Sequence, residues 1–314
     1  MRLFIAPIVL VAAACGLHTP GAAPAPAAVP APVPAPAPAA FTQLRAALER
    51  RIAAVPNAEV GVWLRDLRTG DTLAINATTR FHAASTMKVP VMIELFRRHD
   101  AGDLRLDSTI VLRNGFKSIV DGSPFSLDAA DDSDSSLYAK AGQRVTLREL
   151  NERMITRSSN LATNAVIELV GAGRVDATAH ALGATTMQVR RGVEDTKAFN
   201  AGLNNTTSAR DLGVLMTALA QDKAASAASC DAMRAILRRQ EFNDEIPAGL
   251  PPGTPVAHKT GWITATTHDA AIIYPPGRSP YVLVVLTRAI PVRDVAQTLM
   301  ADISRDVWQA VTGR

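Results

Sequence analysis

Residues 81–96, F-H-A-A-S-T-M-K-V-P-V-M-I-E-L-F, form the stretch that decides the fold of this chain. Four apolar residues within it recur at helical spacing and predict a short loop followed by an amphipathic helix: Val89, Met92, Ile93 and Phe96. Ser85 stands where this helix would begin. Because a serine hydroxyl can accept a hydrogen bond from a free backbone N–H, Ser85 is predicted to be the N-cap of the helix.

Lys88 follows Ser85 by three residues, so the two side chains are expected on one face of the helix. A serine hydroxyl is a weak nucleophile until a base removes its proton, and a buried lysine can be that base because burial lowers its pKa. The pair therefore indicates an activated nucleophile. A capped core helix whose lysine extends to water is the alternative, and the pattern S-x-x-K alone does not decide between them.

The composition limits the class of protein. The chain has 314 residues, of which 47% are hydrophobic, enough for a sizeable core in one or two domains. Its net charge is +4, but the arginines are scattered without a basic stripe, and aromatic residues make up only 4%. This distribution argues against a nucleic-acid groove. The sequence contains no H-E-x-x-H motif and its six histidines are dispersed, so no metal site is predicted.

Residues 1–15 resemble an export signal. Arg2 precedes an apolar run, residues 3–14, that is too short to span a bilayer as a stable helix. The run ends in A-A-A-C, which resembles a bacterial lipoprotein signal cut before Cys15, so a lipid tether on Cys15 and plain secretion both stay open. We therefore expect an exported protein, periplasmic or secreted. Residues 16–40 are almost entirely Pro and Ala and predict a semi-rigid linker.

Residues 41–314 are predicted to fold as one α+β domain. Helical periodicity begins at residue 41 and returns near the C-terminus, and five strand-like runs lie between these helices. The predicted strands are 59–66, 72–76, 255–260, 266–274 and 281–287. Two early and three late strands imply one five-stranded antiparallel sheet, which residues 41–99 and 250–314 would form together with the N- and C-terminal helices that flank it. Residues 100–249 are predicted to be an inserted, mostly helical part.

Two polar segments of the inserted part show no clear periodicity. Residues 131–134, D-D-S-D, lack the glycine and the terminal glutamate of a calcium loop and are predicted to be a solvated loop. Residues 191–205 are predicted to be a long ordered loop, and loops of this length are often functional. A helix is predicted directly after it, over residues 206–220.

Three short motifs occur together in the predicted domain: S-T-M-K at 85–88, S-S-N at 158–160 and K-T-G at 259–261. This set resembles the motifs of class A β-lactamases and penicillin-binding proteins. The segment 259–274 further resembles the class A strand pair, and the resemblance runs from residue 41 to the C-terminus. It implies a β-lactamase/transpeptidase-like fold and a monomeric serine hydrolase that acts on small β-lactam substrates without a cofactor.

The resemblance also implies a role for the residues of the first two motifs. Ser85 would be the nucleophile that is acylated, and Lys88 would be its proton partner. Ser158 would pass a proton to the leaving lactam nitrogen. Asn160 and Lys259 would orient Ser158 and the substrate.

The K-T-G motif implies substrate-binding residues. Lys259 and Thr260 would bind the substrate carboxylate, and Gly261 completes the motif. The backbone N–H groups of Trp262 and Ser85 would form an oxyanion hole, with two donors aimed at the oxygen on which negative charge develops.

The resemblance implies two further residues outside the motifs. Glu194 lies at a spacing from Ser158 like that of the class A base that activates a water for deacylation, and Asp195 is an equal rival for this role. Class A enzymes often add an arginine to the carboxylate site. Arg293, at the start of the last helix, is the predicted residue here, Arg288 is a rival, and a solvated surface arginine is equally open.

The sequence departs from the family pattern at several positions. Ala198 stands where the family has an asparagine, and Asn205 replaces the acid that usually pairs with Arg191. Ser159 replaces the aspartate of S-D-N, and Trp262 replaces a small residue. The missing asparagine and ion pair favour the alternatives on the same fold, which are a DD-peptidase, an esterase or a penicillin-binding sensor.

Overall fold

The computed structural model describes residues 39–313. Its helices are α1 Ala39–Ala53, α2 Lys88–Asp100, α3 Leu147–Thr156, α4 Asn160–Val170, α5 Ala172–Ala181, α6 Thr196–Asn200, α7 Ala209–Ala220, α8 Ala227–Leu237 and α9 Arg293–Thr312. Its strands are β1 Glu59–Asp66, β2 Thr72–Ile75, β3 Phe81–His82, β4 Thr109–Val111, β5 Phe116–Lys117, β6 Pro124–Phe125, β7 Arg144–Thr146, β8 Thr206–Thr207, β9 Val256–Ile263, β10 Thr266–Ile273 and β11 Tyr281–Arg288.

The export signal predicted for residues 1–15, with Cys15, and the linker up to residue 38 lie outside the described residues. Within residues 39–313, none of the helices combines the length and the apolar character needed to cross a bilayer.

The predicted five-stranded antiparallel sheet is confirmed. Its strand order is β2-β1-β11-β10-β9, so the two early strands meet the three late ones where β1 pairs with β11. This register places Val62 opposite Val285, and both side chains are buried. Helices cover both faces of the sheet at β1 and β11. The residues of these two strands are therefore buried on both faces, and their sequences are almost continuously apolar.

The sheet separates two apolar cores. One face packs against α1 and α9, where Leu48 and Ile303 are fully buried. The other face packs against α7 and α8 of the inserted part, and the core on this side contains Met92 of α2 and Leu212 of α7, both fully buried. The sheet thus lies between a pair of terminal helices and the helical part, in the arrangement that the sequence predicts.

The region around Ser85 differs from the prediction in one respect. The apolar face of α2 is buried as predicted, but Ser85 is not an N-cap: it lies inside a short 3₁₀ helix, Ala84–Met87, and its hydroxyl caps no backbone N–H. The chain enters this turn from β3, whose pairing with β8 fixes its direction. The first turn of the predicted α-helix is therefore tightened into a 3₁₀ turn.

The helix predicted over residues 206–220 begins later than predicted. Thr206 and Thr207 form β8, and α7 starts at Ala209 after the N-cap Ser208, whose hydroxyl accepts a hydrogen bond from the N–H of Asp211 at 3.1 Å. The pairing of β8 with β3 takes these two threonines out of the helix.

A glycine allows α7 to pack closely on the sheet. A Cβ atom built on Gly213 would lie 2.1 Å from the ring of Trp63 on β1, which is far inside van der Waals contact. The helix can therefore approach the sheet this closely only if residue 213 has no side chain.

We expect Gly213→Ala to lower the free energy of unfolding by about 1–3 kcal/mol, because overpacking outweighs the higher helix propensity of alanine. Chemical denaturation measures this change. Gly173→Ala on α5 is the matched control: its Cβ would meet no atom within 4 Å, so stability should stay the same or rise by up to about 1 kcal/mol. Equal effects of the two variants would contradict the packing argument.

Candidate active site

Ser85 lies in a cleft of about 410 Å³ that Asn160, Glu194 and Trp262 also line. The turn that presents it is held from two sides. The N–H of Ala84 donates to Nδ1 of His82 at 3.0 Å, and the N–H of Ala83 donates to the carbonyl of Asn205 at 2.9 Å.

Strand β9 lies directly against this turn. A Cβ on Gly261 would lie 2.8 Å from the backbone nitrogen of Ser85 and 2.9 Å from that of Thr86. Glycine is therefore a steric requirement of the K-T-G motif here, since any side chain would push the strand away from the turn. The close approach brings the backbone of Gly261 and Trp262 beside the residue that the resemblance implies as the nucleophile.

Lys88 is fully buried, with 0% of its surface exposed. Its ammonium group donates to the carbonyl of Ser158 at 2.6 Å, to the hydroxyl of Ser158 at 3.2 Å and to Oδ1 of Asn160 at 2.8 Å. Burial lowers the pKa of Lys88 to about 7, although the charges of Asp132 and Glu194 act in the opposite direction. The alternative of a lysine that extends to water is wrong, and the amine can lose its proton near neutral pH.

Lys259 reaches the same serine from the opposite side. It is also fully buried, and its ammonium group donates to the hydroxyl of Ser158 at 3.1 Å and to the carbonyl of Thr260 at 2.8 Å. Burial lowers the pKa of Lys259 well below its usual value, and the charge of Lys88 lowers it further. Because the oxygen of Ser158 can accept from both lysines, its own O–H proton stays available to donate.

Asn160 connects Lys88 with Glu194. Its Oδ1 accepts from Lys88 at 2.8 Å, and its Nδ2 donates to Oε1 of Glu194 at 2.5 Å. Burial raises the pKa of Glu194, and the hydrogen bond from Asn160 offsets part of that rise. A continuous hydrogen-bonded path thus runs from the amine of Lys88 to the carboxylate of Glu194 along one side of the cleft.

Asp195, the rival of Glu194, is fully engaged elsewhere. Its buried carboxylate accepts from the hydroxyl of Ser118 at 2.9 Å, from the N–H of Ile119 at 2.9 Å and from the N–H of Ala198 at 3.0 Å. Burial alone would raise the pKa of Asp195, but these hydrogen bonds lower it overall. This arrangement favours Glu194 as the carboxylate that can act in the cleft.

A profile of the beta-lactamase enzyme family matches residues 43–311. The chain belongs to this family. The beta-lactamase of Streptomyces fradiae is 29% identical over 281 residues, which cover 85% of this chain and 87% of that protein. The solved beta-lactamase of Sphaerobacter thermophilus is 29% identical with a TM-score of 0.74, covering 87% of this chain and 98% of that chain. A mutant of PBP-A, solved as an acyl-enzyme complex with penicillin G, is 28% identical with a TM-score of 0.74. The match covers 87% of this chain and 97% of that chain.

The predicted loop of residues 191–205, which contains the short helix α6, is closed without the ion pair that the family pattern implies. In the described part of the chain, Arg191 has no carboxylate in salt-bridge contact; its guanidinium donates to the carbonyl of Leu203 and to Oδ1 of Asn204, both at 2.9 Å. The side chain of Asn205 accepts from the N–H of Arg191 at 3.2 Å and donates to the carbonyl of Arg191 at 2.9 Å. Hydrogen bonds to neutral groups thus replace the charge pair.

Asp132 is a residue of the site that the sequence analysis missed. The sequence predicts a solvated loop for residues 131–134, and this is wrong for Asp132. Its buried carboxylate accepts from the N–H groups of Asn160 and Leu161, each at 2.9 Å, and from the hydroxyl of Tyr138 at 3.1 Å. An anion is stabilised at the N-terminus of a helix, here α4. No local sequence signal reveals this, because the two partners meet only in the fold.

The serine of the S-S-N motif has a structural role of its own. The hydroxyl of Ser159 accepts from the N–H of Ala162 at 3.2 Å and so caps α4. The negative charge that an aspartate would carry in this motif is supplied instead by Asp132, from a different segment of the chain.

The two arginines proposed for the substrate carboxylate lie in different places. Arg293 stacks on the ring of Trp262, with its guanidinium carbon 4.0 Å from the ring centroid, and donates to the buried Glu245 at 3.3 Å. Arg288 pairs with Glu59 at the start of β1 and donates to the backbone carbonyl of Arg80 at 3.0 Å. Only Arg293 therefore contacts a residue that lines the cleft.

The described residues hold no group of three or more His, Cys, Asp or Glu side chains that could bind a metal ion. The hydroxyl of Thr260, next to Lys259, is buried and has no hydrogen-bond partner within residues 39–313.

We expect the rate of acylation to rise with pH through about 7, because only the neutral amine of Lys88 can accept a proton. Asp132→Asn removes a negative charge that favours the protonated amine, so the rising part of the profile should move to lower pH. Single-turnover acylation followed by mass spectrometry at a series of pH values measures this.

Asp131→Asn is the matched control, because Asp131 is an exposed neighbour of Asp132. Its profile should match that of the wild type. If the pH dependence of acylation in Asp132→Asn matches that of the wild type, or moves to higher pH, the electrostatic role of Asp132 is contradicted.

Proposed function

We propose that this protein is a serine β-lactamase that hydrolyses β-lactams through an acyl-enzyme on Ser85. The observation that carries the proposal is the hydrogen-bonded path from Lys88 through Asn160 to Glu194. A β-lactamase needs a base for acylation and a base for deacylation, and this path supports Lys88 in the first role and Glu194 in the second.

In the acylation step, neutral Lys88 accepts the proton of the Ser85 hydroxyl, directly or through the neighbouring Ser158. The Oγ of Ser85 attacks the lactam carbonyl carbon, and the backbone N–H groups of Ser85 and Trp262 stabilise the resulting oxyanion. The C–N bond of the ring then breaks, and the nitrogen takes a proton from the hydroxyl of Ser158. The ammonium group of Lys88, which holds the proton taken from Ser85, then returns a proton to Ser158. The product is an ester on Ser85.

In the deacylation step, Glu194 accepts a proton from a water molecule, and the water oxygen attacks the ester carbonyl carbon. The ester C–O bond breaks, the proton that Glu194 took up passes to the Oγ of Ser85, and the ring-opened acid leaves, so both Ser85 and the Glu194 carboxylate are regenerated. The raised pKa of Glu194 suits a base that works near neutral pH, since it increases the proton affinity of the carboxylate.

The substrate carboxylate would bind at the end of the cleft formed by β9. A carboxylate beside Lys259 would favour the protonated, positively charged form of its amine, and the hydroxyl of Thr260, which has no partner within residues 39–313, would supply a donor. Arg293 adds a second positive charge beside Trp262, although Glu245 offsets part of it. An anionic group is therefore favoured at this end of the site.

A peptidase-like or sensor-like protein that is acylated but releases the acyl group slowly is the second candidate. Two observations favour it: the structural likeness to PBP-A, and the absence of an amide side chain at Ala198 on the loop that carries Glu194. Asn200 does not replace that amide, because it is exposed at the end of α6.

The test measures two quantities: the hydrolysis of a β-lactam and the mass of the intact protein afterwards. The protein is incubated with a chromogenic cephalosporin, and its intact mass is then measured. Turnover without a lasting adduct supports the β-lactamase, whereas a persistent adduct without turnover supports the second candidate. Ser85→Ala is the control: its fold should be unaffected, because the hydroxyl caps no N–H, and it should form no adduct. A covalent adduct on Ser85→Ala would overturn the assignment of the nucleophile.

We expect Glu194→Ala to trap the acyl-enzyme, because it removes the base for deacylation and leaves Lys88 in place for acylation. Intact mass spectrometry after addition of penicillin should show a stable adduct, while steady-state turnover falls on the order of a thousandfold or more. Turnover at the wild-type rate would assign the role to another group.

We expect Arg293→Ala to lower the acylation efficiency toward penicillins by roughly tenfold to a hundredfold, the effect of losing a hydrogen bond between charged groups. Neutral esters, which lack the carboxylate, should react at the wild-type rate. Arg288→Ala is the matched control and should change neither reaction. Equal losses of Arg293→Ala on both substrate classes would remove Arg293 from the substrate site.

We also propose that the protein is exported, as a periplasmic or secreted monomer, with Cys15 as the residue that would carry a lipid tether. The support is the sequence of residues 1–15. Fractionation of the producing cells distinguishes the two forms: Cys15→Ser should release a membrane-bound protein and leave a secreted one unchanged, and recovery of both proteins from the cytoplasm would reject export.

A further inference from the structure

The hairpin of β5 and β6, residues 116–125, packs against the loop that carries Glu194. Its two strands pair Phe116 with Phe125. At the turn between them, the hydroxyl of Ser118 and the N–H of Ile119 donate to the two carboxylate oxygens of Asp195, each at 2.9 Å. Ser118 and Asp195 are both buried, so these bonds form away from water and are the stronger for it.

A second contact between the hairpin and the loop lies at the surface. The ammonium group of Lys197 donates to Asp121 at 2.8 Å and to the hydroxyl of Ser123 at 2.7 Å. Roughly half of each charged side chain is exposed, so this contact contributes less than the buried one. Both contacts join the same two segments.

Glu194 lies between two such anchors. On its N-terminal side, the side chain of Asn164 on α4 accepts from the N–H of Val193 at 2.7 Å and donates to the carbonyl of Val193 at 3.0 Å. On its C-terminal side is Asp195, which the hairpin binds. Glu194 itself has a φ of 62°, a conformation that non-glycine residues rarely adopt and that persists only when its surroundings hold it.

We propose that the hairpin 116–125 is a positioning element for deacylation, which holds Asp195 so that Glu194 keeps its place beside Asn160. The inference rests on the proposed function of Glu194 as the base. Within residues 39–313, no hydrogen bond or salt bridge joins the hairpin to Lys88 or Ser85, and the hydrogen bonds of Lys88 go to Ser158 and Asn160. Acylation should therefore not depend on the hairpin.

The test separates the two chemical steps. Ser118→Ala removes one of the two donors that the hairpin gives Asp195, and we expect deacylation of a penicillin to slow on the order of tenfold while the acylation rate stays unchanged. Asp195→Asn, which loses an acceptor for the hairpin, should slow deacylation more. Ser118→Thr retains the hydroxyl and should restore the wild-type rate.

Ser126→Ala is the matched control, because it makes the same substitution at an exposed residue directly after the hairpin. It should leave both steps unchanged. Thermal unfolding of each variant accompanies the kinetics. Equal slowing of acylation and deacylation in Ser118→Ala, or no slowing of either, would overturn the inference.

A double variant distinguishes this inference from the proposed function. If Glu194→Ala traps the acyl-enzyme and Ser118→Ala adds no further loss in that background, the hairpin acts through Glu194. If Glu194→Ala traps the acyl-enzyme but Ser118→Ala alone deacylates at the wild-type rate, only the inference fails. If Glu194→Ala turns over normally, the proposed role of Glu194 fails, and the inference fails with it.

Discussion

Two buried lysine ammonium groups share the hydroxyl of Ser158, and the rest of the site depends on this contact. Lys88 comes from α2, Lys259 from β9 and Ser158 from the segment before α4, so the contact joins the sheet to the helical part. Burying an amine favours its neutral form, because the charged form loses its hydration. The same burial that unites the two parts of the fold therefore makes Lys88 a base near neutral pH.

The backbone is strained at three positions around the cleft. Ala84, Ser158 and Glu194 have φ values of 45°, 57° and 62°, and none of them is a glycine. Each lies next to or at a residue with a proposed chemical role, and such a conformation costs on the order of 1–3 kcal/mol. The surroundings hold each of them: His82 holds the first, the two lysines hold the second, and the anchors on either side of Glu194 hold the third.

The sequence predicted the parts of the fold that depend on periodicity. The five strands and the apolar face of α2 appear where the spacing of apolar residues places them. Hydrogen bonds join side chains of the three motifs. The 3₁₀ turn at Ser85 and the late start of α7 were not predictable, because both depend on the pairing of β3 with β8, two strands of two residues each. Hydrophobic periodicity cannot reveal pairs this short.

The polar contacts between segments that are distant in the chain could not be predicted from the sequence either. Asp132 looks like a solvated acid among others until α4 places two N–H groups on it. Arg293 looks like a surface arginine until Trp262 provides a ring for it to stack on. In both residues the local pattern is that of an exposed charge, and only the tertiary structure assigns a partner.

The loop of residues 191–205 is closed by an amide, and this determines how it responds to its surroundings. An ion pair weakens when salt screens it or when acid protonates its carboxylate. The amide of Asn205 has no charge to screen and no proton to gain, and its partners are backbone groups of Arg191. The part of the closure that Asn205 provides is therefore insensitive to ionic strength and to mild acid, in contrast to the contacts that Asp195 and Lys197 make with the hairpin.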